Sequence, residues 1–69
     1  MTVAKVVEVI GSSPKSWEEA TNNAIAETAK TVRGIKSVHV KRFTAKVEKN
    51  KIVEYRAVVK IAFAVERER

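Results

Sequence analysis

The chain has 69 residues, enough for a single domain over residues 1–69, and its lack of cysteine excludes disulfides and thiolate metal sites. Its net charge of +6 comes from scattered lysines and arginines interrupted by acids, a pattern that does not favour nucleic acid as a partner. Because a chain this short removes only about 60 % of its unfolded surface from water, its own core is marginal, and we expect self-association to stabilise it.

The first predicted element is a strand over residues 3–10, VAKVVEVI, which is rich in β-branched residues. It is followed by the turn-forming residues 11–14, GSSP. Ser16 and Glu19 then have the spacing of a capping box, in which each side chain accepts a hydrogen bond from the backbone amide of the other. The hydroxyls of this turn and Lys15 offer at most a weak anion site, and we expect ordinary helix capping instead.

An amphipathic helix is predicted over about residues 17–33. Its buried stripe recurs every three or four residues and consists mainly of alanine and threonine, so the helix can lie close against a sheet. Trp17, at the first helical position, is expected to anchor the helix start or a subunit contact, with stacking on a planar ligand as the alternative. Gly34 has the position of the left-handed residue that commonly follows a helix.

Two long strand-like runs follow, over residues 36–48 and 51–66, and they are joined by a tight turn in which Asn50 is expected to have a positive φ. Both faces of the second run are apolar, because Val58, Ala62 and Ala64 lie opposite the large apolar residues at odd positions. One helix cannot cover both faces, so the bare face is expected to meet another subunit. The sequence therefore predicts an α+β fold of order β-α-β-β, with a three-stranded antiparallel sheet packed on one helix. The charged tail, residues 66–69, is expected to be solvated.

Catalytic chemistry is not favoured by the residues present. Ser37 and His39 point to the same side of a strand but lie about 7 Å apart along it, with no acid to orient the ring and no oxyanion loop nearby. We therefore interpret them as surface residues and predict no enzyme. Four acids, Glu8, Glu48, Glu54 and Glu66, are spread over different elements and define no calcium loop, although an oligomer axis could gather copies of one of them.

Two signatures in the chain resemble those of the dodecin family. The first is the turn and helix start GSSPKSWEEA, residues 11–20, and the second is EYRAVVKIAF, residues 54–63. The resemblance covers nearly the whole chain without gaps. It implies a hollow homododecamer with trimeric contacts, and a role in binding, storing or sequestering flavins (riboflavin, FMN or FAD) rather than in catalysis.

The resemblance also implies a pocket. In the flavin-binding members of the family, a tryptophan at the start of the second strand stacks on the flavin ring, and a glutamine in the third strand binds its polar edge. Counted without gaps, these positions are Ser37 and Arg56 here, and Lys46 is a further cation for phosphate or carbonyl oxygens. Loss of the indole removes a stacking partner worth about 1–3 kcal/mol, so we expect weakened flavin binding.

The alternative is a shell that is associated with calcium or other ions, or one that is purely structural. Some family members without the stacking tryptophan are described as calcium-associated and carry a tryptophan at the helix start, as SWEEA does here. Ser37 and Arg56 would then be surface or inter-subunit contacts, and the metal ligands are not predicted. In either case we expect a soluble, cytoplasmic homo-oligomer without a membrane partner, because no apolar run is long enough to cross a bilayer.

Overall fold

The computed structural model describes residues 2–66 as one helix and three strands. In chain order these are β1 (Thr2–Ser13), α1 (Trp17–Ala29), β2 (Ile35–Glu48) and β3 (Lys51–Glu66). The strands form one antiparallel sheet with the spatial order β1-β3-β2, and α1 packs on one face of it. The predicted β-α-β-β order and the sheet packed on one helix are therefore confirmed. Residues 67–69 of the charged tail lie outside the described residues.

The core is built mainly from small side chains. Ala20 and Ala24 of α1 are buried against Ala57, Val59 and Ile61 in the central strand, β3. Because alanine contributes little bulk, the helix lies very close to the sheet, as the stripe of small residues predicts. A Cβ atom at Gly11 would overlap the carbonyl oxygen of Ala20 and lie 2.8 Å from the Cβ of Ala24.

This close approach explains why β1 is longer than predicted. The sequence places a turn at residues 11–14, but β1 continues through Gly11 and ends only at Ser13. Glycine is required there because the backbones of strand and helix are in contact and leave no room for a side chain. It does not serve as a turn residue. Ser13 is buried, and its hydroxyl donates to the Glu19 carboxylate at 3.0 Å while accepting from the Lys15 amide at 2.9 Å.

Both ends of α1 differ in part from the predictions. At the start, the Ser16 hydroxyl accepts from the Glu19 amide at 3.0 Å as expected, but the Glu19 carboxylate accepts from Ser13 rather than from the Ser16 amide. At the other end, the helix stops at Ala29 instead of residue 33. The Lys30 and Thr31 amides bond to carbonyls three residues back, at 3.2 and 3.0 Å, which tightens the last turn.

The two-residue turn between β2 and β3 has positive φ at both central residues, 52° at Lys49 and 66° at Asn50, a feature of type I′ hairpins. Gly34, before β2, has the predicted positive φ of 76°, but it does not close the helix as predicted, because α1 already ends at Ala29. Strand β1 pairs with β3 only as far as Ser13 and Tyr55. Beyond this pair, toward the turn, the hairpin is a ribbon of two strands. Residues 46–54 are called the hairpin arm below. No helix within residues 2–66 is both long and apolar enough to cross a membrane.

Candidate functional site

The predicted site residues lie on the sheet face turned away from α1, which we call the open face. Strand register arranges this face in rows across β1, β3 and β2. The successive rows are Val6, Ala62 and Ser37; Glu8, Lys60 and His39; Ile10, Val58 and Arg42; and Ser12, Arg56 and Thr44. The first row, Val6, Ala62 and Ser37, has only small or apolar side chains and is called the smooth row below. The second row is charged.

Ser37 lies in the smooth row, on the edge strand β2. It is exposed, pairs with Ala62, and follows a shift in strand pairing between Ile35 and Ser37. His39 is the next residue of β2 on this face, about 7 Å along the strand and therefore out of hydrogen-bond reach. The strand geometry thus agrees with the interpretation of both as surface residues.

Arg56 and Lys46 form a charged cluster around Glu54. The Arg56 guanidinium donates to the Glu54 carboxylate at 3.0 Å, and Lys46 lies directly opposite Glu54 in the pairing of β2 with β3. The hydrogen bond from Arg56 lowers the pKa of Glu54 below its ordinary value of 4.5, and the charges of Arg56 and Lys46 act in the same direction against the opposing effect of burial. Lys46 and Glu54 also line a shallow pocket of about 280 Å³ beside Ser12 and Ser13.

The smooth row and the charged cluster are far apart within one protomer. Ser37 is opposite Ala62, and Arg56 lies six residues earlier on β3, a separation of about 20 Å along the strand. The structure therefore brings Arg56 and Lys46 together but does not bring Ser37 to them.

Trp17 lies on the helix side of the sheet and does not replace the missing tryptophan of the open face. Its indole N–H donates to the Thr44 carbonyl at 2.8 Å, and its ring meets Tyr55 edge-on at 4.8 Å and Phe43 at 5.9 Å between ring centres. The indole thus ties the helix start to the base of the hairpin arm. This confirms the prediction that Trp17 anchors the helix start.

Two features of the open face were not found from the sequence. The Lys41 ammonium lies 3.4 Å from the Glu8 carboxylate, which connects the two edge strands across β3. A pairing shift between Val40 and Arg42 turns Arg42 to the open face, where strict alternation from Ser37 would put it on the other side. The alternation of Ser37, His39 and Lys41 was the available signal for the first feature, but a bulge has no comparable signal.

Comparison with known proteins identifies the family. A dodecin family model matches residues 3–66. The chain belongs to the dodecin family. The calcium dodecin of Mycobacterium tuberculosis is 32 % identical over 63 residues, which covers 91 % of this chain and 89 % of that protein. Dodecins are homo-oligomeric dodecamers that act as binding or storage proteins, and flavin is their usual ligand.

Solved dodecin structures share the fold along their whole length. A dodecin variant from Thermus thermophilus superposes with a TM-score of 0.92 at 30 % identity, covering 97 % of this chain and 100 % of that one. The M. tuberculosis calcium dodecin, described as a calcium-chelating antigen with a novel calcium-binding site, gives a TM-score of 0.82 at 28 % identity, with 97 % and 96 % coverage. These matches confirm the fold class and the family resemblance.

Proposed function

We propose that this chain is a non-enzymatic dodecin that assembles into a homododecamer and sequesters a planar, anionic ligand of the flavin class, such as FMN. The observation that carries the proposal is the division of the open face into a smooth row and a charged cluster, in a chain of the dodecin family. A flat ring fits against Val6, Ala62 and Ser37, and a phosphate fits the cations of the cluster.

The ligand site is completed by a second copy. One chain offers Ser37 to the ring, and the neighbouring chain offers its own Arg56 and Lys46, since about 20 Å separates these regions within a protomer. Arg56 can serve both Glu54 and a ligand, because a guanidinium carries five N–H donors and the bond to Glu54 uses one of them. Glu54 competes with an anionic ligand for these cations, which together with the missing indole weakens binding.

The test is a titration of FMN and riboflavin with the purified protein while flavin fluorescence is followed. We expect quenching by both ligands and tighter binding of FMN, because only FMN carries a phosphate for the cationic cluster. Arg56→Gln should remove most of this preference. Lys5→Gln is the matched control, because Lys5 pairs with Phe63 on the other face of the sheet. Absence of both quenching and FMN retention in equilibrium dialysis at micromolar protein would rule out the flavin site.

Binding of calcium is the second candidate, and the relationship to the M. tuberculosis calcium dodecin favours it. Within residues 2–66 no group of three or more His, Cys, Asp or Glu side chains is placed to hold a metal ion. Glu8 and Glu54 each lie beside a cation, at 3.4 and 3.0 Å, which satisfies their charge. A calcium ion would therefore need carboxylates from several copies at a symmetry axis.

Calcium binding is tested by thermal unfolding of the assembly in calcium and in EDTA. A ligand that binds only the folded state must raise the unfolding temperature, so the calcium candidate predicts a higher value in calcium. Equal temperatures at millimolar calcium would reject it. The cytoplasmic location stays a prediction from the cysteine-free composition.

A further inference from the structure

The second row of the open face, Glu8, Lys60 and His39, borders directly on the smooth row and is called the charged row. Along β3, Lys60 and Ala62 of the two rows are separated by about 7 Å. A planar ligand built of three fused rings is longer than this spacing. A flavin that lies on the smooth row therefore extends over a neighbouring row as well.

The open face changes from apolar to charged across the smooth row. On one side of this row the next pair is Ala4 and Ala64, whose side chains are methyl groups. On the other side is the charged row, where Lys60 and His39 are both exposed. A flavin ring has the same polarity, with a dimethylbenzene end and an opposite end that carries two carbonyls and an N–H. The apolar end therefore matches the alanine pair, and the polar end matches the charged row.

Lys60 is available to a ligand because the acid opposite it is engaged elsewhere. Glu8 is paired with Lys60 across β1 and β3, but the Glu8 carboxylate lies 3.4 Å from the Lys41 ammonium of β2. The Lys41 side chain is only 31 % exposed, so salt screens this bond less than a fully exposed pair. Among the described residues, 2–66, Lys60 makes no ion pair, and Arg42 in the next row adds a cation rather than an acid.

Lys60 and His39 supply the two kinds of hydrogen-bonding group that the polar end of a flavin requires. An ammonium has three N–H donors for the carbonyl oxygens, and a neutral imidazole has an acceptor nitrogen for the ring N–H. The two residues are directly opposite each other in the pairing of β3 with β2, with Cβ atoms about 5 Å apart. Arg56, the position that the family resemblance assigns to this end of the ring, has donors only and cannot accept from the ring N–H.

We propose that Lys60 and His39 bind the polar end of a flavin ring that lies on the smooth row. Lys60 donates to a ring carbonyl, and His39 accepts from the ring N–H. Lys41 is a positioning residue, since it touches no ligand and acts by keeping Glu8 from neutralising Lys60. The assignment rests on the proposed function, because it requires a flavin on the open face. It names the residues that select the ring, whereas the cluster around Arg56 selects the phosphate.

Titration with riboflavin tests the two lysines, because riboflavin has the ring but neither a phosphate nor a net charge. Lys60→Met should weaken its binding roughly 2- to 12-fold, the usual contribution of one hydrogen bond. Lys41→Met should also weaken it, because Glu8 then turns to Lys60, and adding Glu8→Gln to Lys41→Met should restore the lost affinity. The matched control is Lys5→Met, which changes an exposed lysine on the other face of the sheet and should leave the affinity unchanged.

Riboflavin methylated at ring N3 tests His39, because it lacks the ring N–H. His39→Leu should weaken binding of riboflavin and leave binding of the methylated ligand unchanged. Riboflavin affinity that is unchanged in Lys60→Met and His39→Leu, or that falls equally in Lys5→Met, would overturn the assignment and leave the flavin site in place. Failure of Glu8→Gln to restore the affinity lost in Lys41→Met would overturn the positioning role. A wild type that binds neither riboflavin nor FMN would overturn the proposed function as well.

Discussion

Gly11→Ala should strongly destabilise the protein, because it adds a methyl group where β1 and α1 touch. The new Cβ would overlap the carbonyl oxygen of Ala20, and it would lie 2.8 Å from the Cβ of Ala24, where ordinary contact begins at 3.4 Å. The Ala24 contact alone therefore requires a displacement of about 0.6 Å, and the overlap with a backbone atom requires more. Since a carbonyl oxygen has no rotamer to adopt, the helix itself must move away from the sheet.

Such a movement separates Ala20 and Ala24 from the buried side chains of β3. We expect a cost of about 3 kcal/mol, the upper part of the usual range for overpacking. For a domain of this size this corresponds to a fall of about 12 to 24 °C in the unfolding temperature. Thermal unfolding followed by circular dichroism measures it at one fixed concentration, because assembly makes the temperature depend on concentration.

The control for Gly11→Ala is Ser12→Ala, at the neighbouring exposed residue, which should change stability by no more than about 0.5 kcal/mol. If Gly11→Ala were as mild as this control, the close packing of helix on strand would be wrong. A large effect of both would point to β1 in general rather than to the contact at Gly11.

Three further predictions concern the other contacts. Trp17→Phe keeps a ring beside the arm but loses the hydrogen bond to the Thr44 carbonyl, and it should cost about 1 kcal/mol in denaturant unfolding; an unchanged midpoint would show that the bond contributes nothing. Ser37→Trp restores a stacking surface and should tighten flavin binding roughly 5- to 150-fold in the fluorescence titration, whereas an inert variant would argue against the assigned pocket position. The folded-state pKa of Glu54 is lowered by the hydrogen bond from Arg56, so the stability that Glu54 contributes is present above about pH 4.5 and is lost as the pH falls through the folded pKa. Unfolding measured against pH should therefore show the difference between the wild type and Glu54→Gln shrinking below pH 4.5, and a constant difference would contradict the pairing.

Much of the fold follows from local patterns in the sequence. The stripe of alanines and threonines from Trp17 indicates a helix that lies close to a sheet, and Asn50 marks the hairpin turn. The strand face beneath the helix and the bare face opposite follow from simple alternation along residues 51–66. These features depend on neighbours in the sequence, and for that reason a single chain is enough to reveal them.

The remaining features depend on contacts between distant residues. From the sequence alone, Gly11 is interpreted as a turn residue. Its contact with the backbone of Ala20 is visible only in the structure. The end of the helix at Ala29 depends on hydrogen bonds that compete with helix propagation. The bulge beside Arg42 changes the face of one residue without any local mark.

The candidate site was predictable by position but not by arrangement. Resemblance put Ser37, Arg56 and Lys46 in one pocket, and the structure places Arg56 and Lys46 around Glu54 on the open face, Lys46 only because the bulge before Arg42 shifts the alternation of β2. The separation of Ser37 from them depends on how β2 is aligned against β3, which the sequence does not specify once bulges are present. The site role of all three residues stays a prediction.

The most direct test of the proposed function is native mass spectrometry of the protein with FMN. Because the smooth row and the charged cluster of one chain are about 20 Å apart, we predict that FMN is retained only by assemblies of many copies and is absent from any monomer that dissociates from them. Dodecamers that carry FMN, together with ligand-free monomers, would support a site shared between copies. A folded monomer that binds FMN by itself would contradict it.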